Sequence, residues 1–147
     1  ADCAVGVDIE CERPARSDPA ERAALMLAPG ELSEWQSLAA AERESALLAR
    51  WTAKEAWYKA SPPQSARWDF RRVGVRACAR ADARANLRTW RAPPVHLALC
   101  CADVRALADV RCDGLPAVQA EAFWHVAGIA PSAVREETLI NPVAIKP

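Results

Sequence analysis

Val5, Val7 and Ile9 alternate with Gly6, Asp8 and Glu10, the two-residue period of a strand with one face in a core. The apolar positions are expected inside. Asp8 and Glu10 then leave the opposite face together, with Cα atoms about 6.5 Å apart, close enough to share one ion. Gly6 on that face leaves room for a ligand beside the backbone. The pattern alone fits two readings, an ordinary solvated strand face or a pair of ion ligands.

Asp18, Pro19 and Glu21 have the order of an N-cap, a first-turn proline and a capping acid, and predict a helix to about Leu27. Ala28-Pro29-Gly30 is expected to end it, and Glu31 to Leu38 to form a second short helix. From about Ala41 the positions Ala46, Leu47, Ala49, Trp51, Ala53, Ala56, Trp57 and Ala60 suit one long helix of good formers, with no glycine or proline inside. Ser61-Pro62-Pro63 stops it.

Beyond Gln64 the period shortens. Trp68, Phe70, Val73, Val75 and Ala77 predict one or two strands with a bulge at Arg71-Arg72. Asn86 to Trp90 and Val95 to Cys101 predict a hairpin turning at Ala92-Pro93-Pro94. After Asp113-Gly114, Pro116 is expected to open a helix through about Val126, with Val118, Ala122, Phe123 and Val126 inside it. Residues 1–128 are read as a single α+β domain, an antiparallel sheet packed against the long helix, and residues 129–147 as a C-terminal tail with three prolines.

The long helix carries the chemistry. Trp51, Glu55 and Lys59 recur every four residues and share a face, while Lys54 lies about 100° around from Glu55. Three carboxylates (Asp8, Glu10, Glu55) and two lysines form a set able to hold a metal ion and a polyphosphate. The plainer alternative is an exposed i,i+4 salt bridge between Glu55 and Lys59, worth little on a lone helix. Trp51 and Trp57 at helical spacing read as packing residues in preference to a stacking platform for bases.

Composition narrows the field. The 147 residues are 52% hydrophobic with a formal net charge of zero, which permits one sizeable core and gives no global case for nucleic acid or an anionic membrane. Residues 67–91 form a local basic patch, with eight arginines against Asp69 and Asp82. The six cysteines show no CxxC pair, so neither a zinc knuckle nor a disulfide scaffold is expected. With no apolar run of about 18 residues and no signal-like N-terminus, the chain is read as soluble and cytoplasmic. His96 and His125 lie in apolar surroundings and read as packing residues.

The strand Val5-Gly6-Val7-Asp8-Ile9-Glu10, 44 intervening residues, and Glu55 within Trp51-Thr52-Ala53-Lys54-Glu55-Ala56-Trp57-Tyr58-Lys59 together resemble the signature of the 4′-phosphopantetheinyl transferases. The likeness covers residues 4 to about 60 well and reaches more loosely to His96-Leu97-Ala98-Leu99-Cys100. Glu10, the run Glu12-Arg13-Pro14 and the arginine-bearing strands resemble the larger, surfactin-synthetase-activating type, which is built of two similar α+β halves with coenzyme A and magnesium between them. This chain resembles the second half only. Basic residues for the 3′-phosphate and a histidine near the pyrophosphate come from the first half, so the resemblance implies an N-terminal half-domain or a second copy to complete the cleft. Ala60-Ser61-Pro62-Pro63 also replaces the glycine-containing turn usual in the family.

The resemblance implies Asp8, Glu10 and Glu55 as ligands of magnesium, with manganese as a substitute, and Lys59 and Lys54 as contacts of the coenzyme A phosphates. The implied reaction moves 4′-phosphopantetheine from coenzyme A to a serine hydroxyl of an apo acyl or peptidyl carrier protein and releases adenosine 3′,5′-bisphosphate. Glu55, directly or through a water, is the implied general base, kept ionised by positive neighbours. Arg71, Arg72, Arg76 and Arg80 could steer an acidic carrier, or serve solubility alone. Two readings of other classes compete: a catalytically silent half-domain acting as a partner-binding module, which predicts no turnover, and a metal-dependent phosphatase or nuclease, which predicts hydrolysis without a carrier. Hydrolases of those kinds usually carry further Asp, Asn or His ligands, and the chain has only two histidines.

Overall fold

The computed structural model describes residues 4–13, 18–61, 69–80, 82–101, 103–110 and 118–128. Strand β1 (Val5–Cys11) is followed by helices α1 (Pro19–Met26), α2 (Pro29–Ser37) and α3 (Ala40–Ala60), a 3₁₀ turn (Phe70–Arg72), strands β2 (Val73–Cys78), β3 (Leu87–Ala92) and β4 (Val95–Cys101), helix α4 (Val104–Asp109) and strand β5 (Ala120–Gly128). The five strands form one antiparallel sheet in the order β1-β4-β3-β5-β2, and α3 lies across one face of it. The α+β class and the sheet-on-long-helix architecture are those expected from the sequence.

The core between α3 and the sheet uses small helix residues against larger strand residues: Ala53 and Ala56 meet Val73, Val75, Leu87, Ala98, Cys100 and Val126, with Trp57 packed at the margin. Small side chains let the helix axis approach the pleat closely. Gly6 marks the tightest point. A Cβ built there would lie 1.9 Å from the Ala56 carbonyl oxygen and 2.5 Å from the Ala60 nitrogen, so only glycine fits. The space expected to admit a ligand is taken by the helix itself.

That approach also inverts the expected faces of β1. Gly6 and Asp8 are buried beneath α3, whereas Val5, Val7 and Ile9 are 53%, 50% and 58% exposed. Alternation was legible; which face met the core was not, because α3 selects the face with the smallest residue.

Asp18 caps α1 by accepting from the Ala20 amide at 2.9 Å, with Pro19 as the first helical residue. Ala28-Pro29-Gly30 does not merely end α1: Pro29 is the first residue of α2. Arg71-Arg72 belongs to the 3₁₀ turn, held by Asp69, which accepts from the Arg71 amide at 3.0 Å. The β3–β4 hairpin turns at Pro93-Pro94 as expected. The helix expected up to Val126 is instead β5, and Pro116 lies outside the described residues. Ala122, Trp124 and Val126 suit a period of two as well as of 3.6, and insertion between β3 and β2 satisfies both edges of the strand. Helix α4, not foreseen, covers part of the opposite sheet face, where Arg88 donates to the Leu107 and Val110 carbonyls at 2.8 Å each. Residues 129–147 lie outside the described residues, as do Arg67, Trp68, Cys3 and Cys112. Cys11 and Cys78 are free thiols. Among the described residues no helix is long and apolar enough to cross a membrane.

Candidate active site

The site lies where α3 crosses β1, which among the described residues is an edge strand paired with β4. The helix runs antiparallel to the strand: Ala56 and Ala60 sit over Gly6, Lys59 reaches Asp8, and Trp51 reaches Glu10. Glu55 falls between Trp51 and Lys59 on the same helical face, and so projects toward both acids of the strand.

Asp8 is 8% exposed and bonds through Oδ1 to the Lys59 ammonium at 2.6 Å. Its second oxygen, Oδ2, is buried without a hydrogen-bond partner. A half-satisfied buried carboxylate is costly unless something else completes it. Lys59, 46% exposed along its side chain, is held charged above its ordinary range chiefly by the bond to Asp8, despite some desolvation. Glu55 is pushed up, first by burial and then by the charge of Asp8, with Glu10 adding to the rise and Lys59 alone opposing it. The expectation that positive neighbours hold Glu55 ionised is thereby corrected: its surroundings are predominantly acidic.

Glu10 accepts from the Trp51 indole nitrogen at 3.1 Å. Two residues on, Glu12 is taken up by other partners, accepting from His96 Nε2 at 3.0 Å and from Arg91 at 3.1 Å. Those bonds, His96 first, draw Glu12 below the ordinary carboxylate range against a desolvation that raises it. The acidic run is thus divided between a site carboxylate and a structural one.

Lys54 is turned away from the three carboxylates. It is fully buried, and its ammonium donates to the Met26 carbonyl at 2.7 Å, Glu31 Oε2 at 2.6 Å and the Phe70 carbonyl at 3.0 Å. All three protons are used inside the protein, which corrects the expectation of a phosphate contact. Burial pulls the Lys54 amine below its ordinary range while Glu31 opposes the shift. Glu31 in turn accepts from the Ala28 amide at 2.8 Å and the Val75 amide at 2.6 Å. One buried pair therefore ties α2, α3, the 3₁₀ turn and the edge of β2 together. Glu31 gave no sequence signal beyond its place in a short helix, since its partners are distant in the chain.

The basic patch is partly paired. Arg71 and Arg72 share Asp69 and Arg84 pairs with Asp82, while Arg80 donates to the Ala108 carbonyl; neither Arg80 nor the exposed Arg76 has an ion-pair partner among the described residues.

The family model of the 4′-phosphopantetheinyl transferase superfamily matches residues 4–109, a span holding β1, α3 and every residue of the site. The chain belongs to that superfamily. Phosphopantetheine transfer is the general activity of the superfamily, with coenzyme A and a carrier protein as its substrates in general. No curated protein and no solved structure matches the chain.

Among the described residues no group of three or more His, Cys, Asp and Glu side chains stands arranged to hold a metal ion unaided. Magnesium does not require such a cage; it is commonly held by one or two carboxylates with waters and substrate phosphates supplying the rest. The unpartnered Asp8 Oδ2 and the negative charge that Asp8 and Glu10 place on Glu55 are what a divalent cation would relieve, so the residues fit the ion.

Proposed function

We propose that this chain is the carboxylate-bearing half of a magnesium-dependent 4′-phosphopantetheinyl transferase of the larger type, modifying a serine of an apo acyl or peptidyl carrier protein. The observation that carries the reading is the buried, unpartnered Asp8 Oδ2 beside Glu55, whose proton affinity burial and the Asp8 charge raise. In this reading Asp8, Glu10 and Glu55 hold magnesium, or manganese in its place, which when bound supplies positive charge to the diphosphate of coenzyme A. The half-exposed Lys59 ammonium, bonded to Asp8 here, would bind a phosphate oxygen of coenzyme A.

The serine oxygen forms a bond to the β-phosphorus while the bond from that phosphorus to the bridging oxygen breaks, releasing adenosine 3′,5′-bisphosphate. Glu55 takes the serine proton. A carboxylate with raised proton affinity suits that task better than an ordinary one. Lys59 stabilises charge on the phosphate oxygens, where such transfers gain most of their rate. Lys54 supports the helix that carries Glu55 and touches no reactant.

The site lies at the β1 side of the sheet, an edge among the described residues, and Val5, Val7 and Ile9 form an exposed apolar stripe on the same strand. In this reading a second half, a separate N-terminal half-domain or another copy of the chain, covers the stripe and contributes the remaining coenzyme A contacts. The same stripe favours the competing reading, a silent half-domain that only binds a partner. Intact-mass analysis decides between them. Apo carrier proteins incubated with the chain, coenzyme A and magnesium should gain one phosphopantetheine arm, and Glu55→Gln should abolish the gain. Absence of any gain, even with a partner half supplied, leaves the binding-module reading; hydrolysis of coenzyme A without a carrier would point to a phosphatase.

A further inference from the structure

Trp51 occupies the boundary between two acids that the chain treats differently. Glu10 and Glu12 are two residues apart on one side of β1 and its extension, and either could swing toward the site. Glu12 is drawn off by His96 and Arg91, at 3.0 Å and 3.1 Å. Glu10 lies opposite His96 in the β1–β4 register yet is bonded instead by the Trp51 indole nitrogen at 3.1 Å. The indole has little freedom of its own: its ring packs on Phe70 with centroids 4.5 Å apart, and Phe70 is held near α3 through its carbonyl, which accepts from Lys54.

We infer that Trp51 is the positioning residue for Glu10: its indole N–H occupies Glu10 Oε1, holds the carboxylate on the site side of α3 and leaves Oε2 as the oxygen offered to a divalent cation. The inference rests on the proposed metal role of Asp8, Glu10 and Glu55. A rigid aromatic donor serves this purpose because it loses little freedom on making the bond, whereas a lysine would neutralise the acid and compete with the cation. The spacing explains why it is Trp51. One turn before Glu55, it is the α3 residue that meets the strand two positions beyond Asp8, as Lys59, one turn after Glu55, meets Asp8 itself.

The test uses the full chain and manganese as the probe, read by electron paramagnetic resonance of free and bound ion. Trp51→Phe keeps a ring against Phe70 and removes the donor; affinity should fall about tenfold, the usual size for loss of an outer partner of a metal ligand. In a Glu10→Gln background the same substitution should cost nothing further, an outcome that a general packing defect would not give. Unchanged affinity in a folded Trp51→Phe protein, or an equal loss in the Glu10→Gln background, overturns the assignment. The indole N–H resonance of Trp51 separates this inference from the reading beneath it. If the unaltered protein binds no manganese but Glu10→Ala shifts that resonance, the metal site falls and the hydrogen bond stands without its assigned purpose. If Glu10→Ala leaves the resonance in place, the positioning role itself is wrong.

Discussion

Glu55 and Lys54 are neighbours in sequence with opposite fates. Burial and the charges of Asp8 and Glu10 raise the proton affinity of Glu55 in the folded state, so its charge is destabilising above that raised pKa. In the metal-free protein Glu55→Gln should therefore be more stable at neutral pH, by up to about 1 kcal/mol. As pH falls through the raised folded value toward the ordinary carboxylate value, the unaltered protein takes up its proton first and the difference should close. Chemical denaturation in a chelator at several pH values reads this directly; a variant less stable at neutral pH would show that Glu55 is a net structural asset. Lys54→Met should do the reverse. It strands Glu31 beneath the helices without its counter-charge, a loss of about 3–5 kcal/mol for breaking a buried pair, measurable by urea titration. Retention of full stability with loss of transfer would restore Lys54 to the reacting groups. The sequence placed Lys54 about 100° around the helix from the face shared by Glu55 and Lys59, but did not say what covers that face.

At the level of elements, the contact of α3 with β1 sets the site. The helix rests on Gly6 so closely that the distance from Asp8 to Glu55 and Lys59 depends on the missing side chain. Gly6→Ala must push α3 away from the strand, since both obstructing atoms are backbone; a cost of about 3 kcal/mol is expected from overpacking of this kind. The Lys59–Asp8 bond should loosen with it. Thermal unfolding and the manganese affinity of Gly6→Ala test the two consequences together, and a variant matching the unaltered protein in both would mean the helix is not seated as described. The strand period, the helix limits and the hairpin were readable from local pattern and turn residues, because those signals act within a few positions of the chain. β5 was not, since its apolar positions fit either period and the vacancy between β3 and β2 decided the matter.

For the molecule as a whole, the exposed apolar stripe of β1 lies beside the site, and in the proposed function a second half covers it. Val7→Lys with Ile9→Lys should leave the α3 face of β1 and the secondary structure intact, because both residues project from the opposite, exposed face. Association with a second half, and any transfer that depends on it, should be lost. Sedimentation velocity with the mass assay checks this; unimpaired activity in a species of unchanged mass would remove the stripe from the assembly. The sequence by itself determined the family, because the spacing of Asp8, Glu10 and Glu55 with Lys59 is a signature that survives without coordinates. Only the tertiary structure decided which face of β1 is buried, that Lys54 braces the helices, and that Trp51 and not a cation-bearing residue reaches Glu10. Those outcomes follow from helix-to-sheet packing across long stretches of chain, where the smallest side chain and the available acceptors, not the local pattern, select the arrangement.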